Sequence, residues 1–431
     1  MSDFEERMPS ISAPERYEYE IIEEKLKGLG WEPCEKNAID SEDLLKNYII
    51  EKVLLDQFEA INHNLLKNLD ENEKDKIKHE LTKRLSLSNE IDVLNYLLYG
   101  IDFMLKDLRT VTLELIDYNN LRSNKFIFCP QVKFPGSPEN VKPDYTLFVN
   151  GIPVAIIEAK RTTEIESHKE ALKQISRYER ESPELFKFVQ LGVAYGDVKL
   201  YVPTWPNRTG EERYVRPFGW KAKNKDSYIE DIFDLLSPEN LLKLISWYTF
   251  FTKDNPPRKI IARYNQFYAS EEAMRLIENH LNGIEDSDRG LIWHWQGSGK
   301  TYTMIYIARQ FFEKHFDKQP VVFFMIDRID LQKQLLEEFL ENADLPKINH
   351  YRKKVESISN LREELEKIKE SESKRGVSVS QIYVVLIQKF KKQEFLDFMN
   401  KFGSINKKEI VILVDEAHRS QYGTLAAVVK K

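Results

Sequence analysis

The chain has 431 residues, of which 42% are hydrophobic, 31% charged and 12% aromatic. This length exceeds what one hydrophobic core usually serves, so two or three domains are expected, and the composition is that of a globular protein rather than a disordered one. The formal net charge of −6 excludes a generally basic surface, so any contact with nucleic acid must come from local basic patches.

The two cysteines, Cys34 and Cys129, are far apart in the sequence and lack the spacing of metal ligands. This usage predicts a reducing compartment, the cytoplasm, and no disulfide framework. The first ten residues are acidic and contain no apolar core, so we expect no secretion signal. No apolar run approaches the roughly 18 residues of a membrane-spanning helix, which predicts that the chain has no membrane partner.

The first half of the chain is predicted to change from helical to β-rich. A helix is expected near Pro14–Trp31, where apolar residues recur at helical spacing and Gly28 and Gly30 end the pattern. From about residue 41 to residue 108 the spacing stays helical, which predicts a helical insertion of two to four helices with a polar break at Asp70–Asp75. The β-rich runs that follow, with a helix over Thr163–Arg180 among them, are Val111–Leu115, Phe126–Cys129, Tyr145–Val149, Val154–Ile157, Phe188–Tyr195 and Val198–Val202.

The polar stretch Thr252–Lys259 contains a proline pair and predicts a linker. It separates a first domain over residues 1–251 from a second over residues 260–431. In the second domain short apolar runs alternate with helices, as in a parallel sheet covered on both faces, so the fold class is α/β. The predicted strands are Leu291–Trp295, Val321–Ile326, Ile382–Leu386 and Ile410–Val414, and the predicted helices are Thr301–Phe316 and Leu331–Leu340.

Asn150-Gly151 lies between two apolar runs and predicts a β-hairpin. The register of the hairpin decides which side chains share a face, because a shift of one residue reverses the pattern. A two-residue loop would put Asp144 and Glu158 on opposite faces. A three-residue loop over residues 149–151, with the glycine at positive φ, puts Asp144, Glu158 and Lys160 on one face. We therefore predict a bulged hairpin that brings these three residues together.

Two carboxylates on one face suit a hard divalent cation such as Mg²⁺, so Asp144 and Glu158 are candidate metal ligands. Such a cation lowers the pKa of a bound water and neutralises charge on a scissile phosphate, which predicts a nuclease site. Lys160 can orient or polarise the attacking water. Gln174 and Tyr178, one helical turn apart, would contact DNA or support Lys160. A Glu-x-Lys triplet in a strand also occurs as an ordinary surface ion pair, and this remains the alternative.

Gly297-Ser298-Gly299-Lys300-Thr301 follows an apolar run and opens a predicted helix. Glycines in such a loop let backbone N–H groups surround phosphates at the helix N-terminus. Lys300 is expected to reach the β- and γ-phosphates of ATP, and the Thr301 hydroxyl is expected to bind Mg²⁺. Asp415 and Glu416 end a later apolar strand, where Asp415 would hold Mg²⁺ and Glu416 would activate the attacking water.

With these two sets of motifs, the chain resembles the restriction subunit of type I restriction–modification endonucleases over nearly its whole length. Residues 142–161, with Asn150-Gly151-Ile152-Pro153 at their centre and Glu158-Ala159-Lys160 near their end, resemble the PD-(D/E)xK nuclease of that family. Gln174-Ile175-Ser176-Arg177-Tyr178 matches its QxxxY element.

The second half carries the motor part of the same resemblance. Ala262-Arg263-Tyr264-Asn265-Gln266 resembles the motif that reads adenine, which makes Gln266 a candidate base contact. His294 stands where the full phosphate-loop pattern has glycine, a departure that suits a motor-type loop. Further stretches that resemble motor segments of the family are Asp327–Leu331, Ile387–Phe390 and Asp415–Gly423.

The resemblance implies a mixed-sheet PD-(D/E)xK nuclease domain flanked by helices, then the first RecA-like parallel-sheet lobe of a superfamily 2 helicase, with the second lobe absent from this sequence. It implies a type I site-specific deoxyribonuclease, an ATP-dependent endonuclease and translocase with Mg²⁺ and ATP as cofactors. The implied partners are double-stranded DNA and the methyltransferase (M) and specificity (S) subunits. Because an arginine finger from the second lobe is needed for rapid hydrolysis, we expect this chain alone to bind ATP weakly and hydrolyse it hardly at all.

Two other functions fit the same motifs. One is a stand-alone Mg²⁺-dependent DNA nuclease with an uncoupled nucleotide-binding domain, and the other is an inactive truncated product or a DNA-bound scaffold. The intact Asp144, Glu158 and Lys160 argue against an inactive scaffold, whereas the missing second lobe argues against an autonomous motor.

Overall fold

The computed structural model describes residues 13–35, 46, 48–224, 227–295, 297–326, 342–355, 360–364, 366–367, 380–386 and 409–415. The chain divides into two compact units. The first consists of Met1–Thr249 with Lys259–Tyr264, and the second of Phe250–Arg258 with Asn265–Lys431. Over the described ranges, no helix combines the length and the apolar character needed to cross a membrane.

The first unit begins with a helix that buries one apolar face. Helix α1 runs over Ala13–Gly28, and Gly30, at a φ of 95°, turns the chain into the short strand β1, Glu32–Pro33. The helix predicted near Pro14–Trp31 is confirmed. Side chains at helical spacing on its buried face are Tyr19, Ile22 and Leu26.

The region predicted to be a helical insertion contains helices and a strand pair. Its helices are α2 (Glu51–Ile61), α3 (His63–Leu66), α4 (Glu71–Leu87) and α5 (Glu90–Tyr99). The predicted polar break lies earlier than Asp70–Asp75: α3 ends at Leu66, and Asp70 is already the N-cap of α4, where its side chain accepts the N–H of Glu73 at 2.8 Å. Strand β2, Ile101–Met104, pairs antiparallel with β3, Thr110–Leu113, so the helical region ends earlier than predicted.

A six-stranded mixed sheet forms the centre of the first unit. Its remaining strands are β4 (Phe126–Pro130), β5 (Tyr145–Val149), β6 (Ile152–Ala159), β7 (Leu191–Tyr195) and β8 (Lys199–Pro203). The order in space is β1-β4-β5-β6-β7-β8, in which β1 and β4 are parallel, β6 and β7 are parallel, and the other neighbours are antiparallel. Helix α6, Ser167–Glu181, connects β6 to β7 and packs on both, as a parallel pair requires.

Every residue of β5, β6 and β7 is buried, because helices cover both faces of the sheet. On one face, the ring centroid of Tyr19 in α1 lies 5.6 Å from that of Tyr145 in β5. On the other face, Ile156 belongs to a cluster with Ile175 and Tyr178 of α6. Because both faces are buried, these strands appear in the sequence as nearly continuous apolar runs.

The first unit is completed by shorter elements. They are α7 (Pro183–Phe186), the antiparallel pair β9 (Lys221–Asn224) and β10 (Ser227–Glu230), α8 (Ile232–Leu235) and α9 (Pro238–Tyr248). The predicted linker is flanked by strands β11, Thr249–Thr252, and β12, Lys259–Ile261. Lys259 is buried, and its ammonium donates to the Gln190 side-chain oxygen at 2.8 Å. One end of the predicted linker therefore belongs to the packed interior of the first unit.

The second unit contains a parallel sheet. The elements described in this unit are α10 (Tyr264–Leu281), α11 (Lys300–Lys314), β13 (Val321–Ile326), β14 (Ala343–Asp344), β15 (Arg352–Val355), β16 (Gln381–Leu386) and β17 (Ile410–Val414). Strands β15, β16, β13 and β17 lie side by side in this order and are all parallel, as predicted from the alternation of apolar runs and helices. Short β14 pairs with β11 instead.

The strand predicted over Leu291–Trp295 is wrong. These residues have no regular structure, and the side chains of Leu291, Trp293 and Trp295 are 74%, 80% and 83% exposed. An apolar run forms a strand only where a neighbouring strand accepts its backbone hydrogen bonds, and none pairs with this run in the described parts of the second unit. The helix predicted over Leu331–Leu340 lies outside the described residues.

Candidate functional site

The turn of the β5–β6 hairpin has two residues. Val149 pairs with Ile152 across Asn150-Gly151, whose φ angles are 52° and 81°. The predicted positive φ at the glycine is confirmed, but the predicted three-residue loop is wrong. The Asn150 side chain donates to the Leu115 carbonyl at 2.9 Å and accepts the Lys125 N–H at 2.7 Å, so tertiary contacts hold the turn in its two-residue form.

A bulge in β6 brings the predicted residues to one face. The register shifts by one residue near the middle of β5, which leaves one extra residue in β6. Beyond this point Tyr145 pairs with Ile157, so the next position places Asp144 opposite Glu158. The arrangement that we predicted from a longer loop is reached by a bulge inside the strand.

The Asn150-Gly151 turn supports a stability prediction. A Cβ atom at Gly151 would lie 2.5 Å from the Ile50 carbonyl oxygen and 2.8 Å from the Leu54 nitrogen, both backbone atoms, and the φ of 81° disfavours any L side chain. We expect Gly151→Ala to lower the free energy of unfolding by more than about 2 kcal/mol, because the clash adds to the strain of about 1–2 kcal/mol that a left-handed backbone conformation imposes on an L residue. Thermal unfolding would measure the cost as a lower melting temperature of the first unit.

Gly210→Ala is the matched control for this prediction. Gly210 also has a positive φ, 71°, but a Cβ atom there would meet nothing within 4 Å, so only the backbone strain remains. Equal losses of melting temperature in the two variants would contradict the tight packing proposed around Gly151.

Asp144 and Glu158 form a buried carboxylate pair, with exposed fractions of 8% and 1%. One oxygen of Asp144, Oδ2, accepts the backbone N–H of Ala159 at 2.8 Å. The ammonium of Lys160 lies 2.7 Å from Oε1 of Glu158, and its side chain is 26% exposed. Three of the residues predicted to be catalytic, Asp144, Glu158 and Lys160, are therefore in one place, where β5 begins and β6 ends.

The surroundings of this pair disfavour two negative charges. Burial, followed by the charge of Asp144, raises the pKa of Glu158 to about 8, while the Lys160 ammonium acts in the opposite direction. Burial likewise raises the pKa of Asp144. A cation would stabilise the ionised pair, and the two carboxylates offer the hard oxygen ligands that Mg²⁺ prefers. Within the described part of the chain, no group of three or more His, Cys, Asp and Glu side chains could hold a metal ion.

Gln174 and Tyr178 of α6 are connected to this pair. The Gln174 amide donates to the Tyr178 hydroxyl at 2.7 Å. That hydroxyl lies 3.0 Å from the carbonyl oxygen of Lys142 and 3.3 Å from Oε2 of Glu158. These contacts connect Gln174 and Tyr178 to Glu158, while the two roles expected from the sequence, contact with DNA or support of Lys160, stay predictions.

Tyr19 is a contact of the site that the sequence analysis missed. Its hydroxyl donates to Oδ1 of Asp144, and the residue is buried in α1. The apolar spacing of α1 marks Tyr19 as an ordinary core residue, and 125 positions separate it from Asp144. No local pattern in the sequence signals this contact.

The residues predicted to bind phosphate lie at the start of α11. Gly297 and Gly299 have φ angles of 76° and 85°, and Lys300 and Thr301 are the first two residues of the helix. The N–H groups in the first turn of a helix have no acceptor within the helix, so this end attracts anions. The loop can therefore present backbone donors and an ammonium group to a phosphate.

Gln266 of α10 packs against this loop. It is buried, and its amide nitrogen lies 3.2 Å from the carbonyl oxygen of Ser298 and 3.1 Å from that of Gly299. Ser298 in turn donates its N–H and its hydroxyl to the Trp295 carbonyl, at 3.2 and 2.7 Å. The structure thus brings Gln266 next to the phosphate loop, while its contact with adenine stays a prediction.

Asp415 directly follows β17, and its N–H donates to the carbonyl of Met325 in β13 at 3.0 Å. Helix α11 packs on the same strand β13. The predicted water-activating residue Glu416 lies outside the described residues, as do the segments Asp327–Leu331 and Ile387–Phe390.

Comparisons with known proteins cover both units. Residues 13–211 match the family described as the type I restriction enzyme R protein N terminus, and residues 265–431 match the SWI2/SNF2 ATPase family. The two matches define a restriction-enzyme subunit in which this N-terminal domain precedes an ATPase domain.

Individual relatives agree. The chain is 41% identical to the putative type I restriction enzyme MjaVIIIP endonuclease subunit of Methanocaldococcus jannaschii, over 98% of this chain and 41% of the relative. It is 44% identical to the putative MjaVIIP endonuclease subunit of the same organism, over 69% of this chain and 28% of the relative. Identity to the type I restriction enzyme HindI endonuclease subunit of Haemophilus influenzae is 29%, over 72% of this chain and 29% of the relative.

The chain belongs to the family of type I restriction enzyme endonuclease subunits, which confirms the resemblance found in the sequence. It spans about two fifths of the length of the MjaVIIIP relative.

Proposed function

We propose that this chain contributes the nuclease domain and the first motor lobe of an ATP-dependent type I restriction endonuclease that cleaves double-stranded DNA. Its partners in this role are a methyltransferase subunit and a specificity subunit in the cytoplasm, and the specificity subunit reads the DNA sequence. The observation that carries the proposal is the buried Asp144–Glu158 pair beside Lys160 at the ends of two neighbouring strands. The mixed sheet with α6 packed on it supports the proposal of a PD-(D/E)xK fold. The parallel sheet of the second unit supports the proposal of a RecA-like lobe of superfamily 2.

Asp144 and Glu158 are the residues that would hold the divalent metal, which we propose to be Mg²⁺. Two carboxylates are a small ligand set, and Mg²⁺ commonly binds one or two carboxylates while it keeps several waters. When bound, the cation makes a water more acidic and neutralises charge on the scissile phosphate. Burial explains why these two residues would bind it, since two adjacent carboxylates with little access to water need more positive charge than Lys160 alone supplies.

The residues around the pair orient its members. Tyr178 lies within hydrogen-bonding distance of Glu158 and is itself oriented by Gln174, so α6 fixes the carboxylate of β6. Lys160 is partly exposed, so its ammonium can leave Glu158 and approach a DNA phosphate or the attacking water. With the cation bound, Asp144 and Glu158 would be ionised, and Lys160 would carry the partly exposed ammonium group of the site.

For ATP, we propose that Gly297, Ser298 and Gly299 surround the phosphates with backbone N–H groups. Lys300 would bind the β- and γ-phosphates, and Thr301 with Asp415 would hold Mg²⁺. Glu416 would activate the attacking water, and Gln266 would contact adenine. The positive φ angles of both glycines and the position of Lys300 at the helix start support this assignment.

Cleavage of supercoiled plasmid tests the proposal. The chain, and a longer chain that also carries a second motor lobe, would be incubated with Mg²⁺, with and without ATP, and with and without the methyltransferase and specificity subunits. Lys160→Ala removes the proposed catalytic ammonium, and Lys243→Ala is the control because Lys243 is a partly exposed lysine paired with Glu239 on α9. We expect cleavage only with ATP, both partners and the longer chain, and only when Lys160 is present.

Two results would contradict the proposal in different ways. Cleavage that ignores ATP and the partners but disappears in Lys160→Ala would show a self-sufficient nuclease with an uncoupled nucleotide-binding domain. Cleavage that is the same in Lys160→Ala and in Lys243→Ala would place the nuclease chemistry elsewhere.

A further inference from the structure

The first helix of the chain touches the strand ends that carry the proposed metal ligands. Tyr19 of α1 donates its hydroxyl to Oδ1 of Asp144. Its own backbone carbonyl accepts the hydroxyl of Tyr145, the next residue after Asp144, at 3.2 Å. The two aromatic rings also pack together, with centroids 5.6 Å apart. Tyr19 is therefore connected to the start of β5 by three contacts, and its hydroxyl has little freedom to move.

The neighbouring residue of α1 is connected to the end of β6. Glu18 is buried, and its Oε1 accepts both the N–H and the hydroxyl of Thr162, each at 3.1 Å. Thr162 lies two positions after Lys160. Helix α1 therefore contacts the chain just after Lys160 and at Asp144, which are the two strand ends that form the site.

Both oxygens of Asp144 are oriented by hydrogen bonds. Oδ2 accepts the Ala159 N–H at 2.8 Å, and Oδ1 accepts the Tyr19 hydroxyl. The two carboxylate oxygens have about four lone-pair sites, so these two donors leave room on Asp144 for a cation, on the side where Asp144 also contacts Glu158. Without the Tyr19 hydroxyl, the carboxylate would be held on one side only and could rotate away from Glu158.

We propose that Tyr19 is a positioning residue of the nuclease site: its hydroxyl fixes the carboxylate of Asp144 in the orientation that binds the divalent metal. This inference rests on the proposed function, because it needs Asp144 to be a metal ligand. Outer hydrogen-bond partners of metal ligands typically contribute a factor of about 10 to 100 in metal affinity. Tyr19 lies in α1, far in sequence from the hairpin that carries the nuclease motif.

Titration of the chain with Mn²⁺, followed by calorimetry and by the electron paramagnetic resonance of free Mn²⁺, tests the inference. Tyr19→Phe removes the hydroxyl and keeps the ring that packs on Tyr145, so the fold is retained. Tyr201→Phe is the matched control: Tyr201 is buried in the same unit, and its hydroxyl donates to the Ala262 carbonyl at 2.6 Å. Asp144→Asn tests the metal site itself.

We expect Tyr19→Phe to weaken Mn²⁺ binding at least about tenfold without changing the number of bound ions. The affinity of Tyr201→Phe for Mn²⁺ should stay within about twofold of that of the unchanged chain, and Asp144→Asn should abolish Mn²⁺ binding at this site. The melting temperatures of the two phenylalanine variants, measured without metal, would show whether they differ in stability.

The outcomes separate this inference from the proposed function. If Asp144→Asn binds Mn²⁺ like the unchanged chain, the proposed metal site is wrong. If Asp144→Asn abolishes binding while Tyr19→Phe has no effect, or weakens binding only as much as Tyr201→Phe does, the metal site stands and the role of Tyr19 is overturned. Tighter binding by Tyr19→Phe would also overturn it, because the hydroxyl would then compete with the metal for Oδ1.

Discussion

Replacing Glu158 by glutamine is expected to lower DNA cleavage by the assembled enzyme at least about 100-fold, because a negatively charged metal ligand is lost and charge on the scissile phosphate is no longer neutralised. The same variant should raise the melting temperature of the metal-free chain by about 2–4 °C, the shift that corresponds to about 1 kcal/mol in a unit of this size. The reason is that burial, followed by the charge of Asp144, raises the pKa of Glu158 to about 8, so near neutral pH folding must either bury a second negative charge or take up a proton, and glutamine avoids this cost. Plasmid cleavage and thermal unfolding would measure the two effects.

Glu164→Gln is the control, since Glu164 is an exposed carboxylate that pairs with Arg161 shortly after the site. It should change neither cleavage nor melting temperature appreciably, because exposed ion pairs contribute roughly 0–1 kcal/mol. Opposite signs for activity and stability in Glu158→Gln are the specific expectation. A Glu158→Gln variant that lost activity because it was unfolded would show a lower melting temperature, and charge repulsion within the pair would then not be the dominant effect.

Lys300→Ala is expected to reduce ATP-dependent cleavage by roughly 10²- to 10³-fold, because the loop would lose the cation that binds the β- and γ-phosphates. Nucleotide binding by the chain itself can be followed through Trp293 and Trp295, which are exposed directly before the loop. Energy transfer from these tryptophans to a fluorescent ATP analogue, titrated into the millimolar range, should appear with the unchanged chain and disappear with Lys300→Ala.

Lys314→Ala removes the same charge from the other end of α11. Fourteen residues of helix place the two lysines about 21 Å apart along the axis, so only Lys300 can reach a phosphate at the N-terminus. Similar losses of energy transfer in both variants would indicate general electrostatic attraction rather than a phosphate site at the loop.

The β5–β6 hairpin shows how much of the site could be predicted from the sequence. Alternation of apolar residues and the requirement for a buried face indicated that Asp144, Glu158 and Lys160 share a face, and the structure has them together. The position of the bulge could not be predicted. A three-residue loop and a bulge inside β6 both place Asp144 and Glu158 on the same face. Which of the two forms depends on contacts of Asn150 with residues outside the hairpin.

Two differences between prediction and structure, the second of them limited to the ends of the predicted linker, have a common physical cause. The apolar run Leu291–Trp295 was predicted to be a strand but is exposed. A strand needs a neighbouring strand to pair with, and the periodicity of a sequence does not show whether one is present. Thr252–Lys259 was predicted to be a linker, and its middle is exposed, but its last residue, Lys259, is buried with its ammonium bonded to Gln190. In both segments the environment supplied by distant residues overrides the local composition.

By itself, the sequence determined the α/β class, the two sets of motifs and the family, because these depend on local periodicity, on residue identity and on spacing along the chain. Only the tertiary structure decided which side chains surround the carboxylates. Tyr19 reaches Asp144 from 125 residues away, and α6 brings the Tyr178 hydroxyl to Glu158. Such contacts result from the packing of helices on both faces of the sheet, and packing between elements distant in sequence leaves no periodic signal in either element.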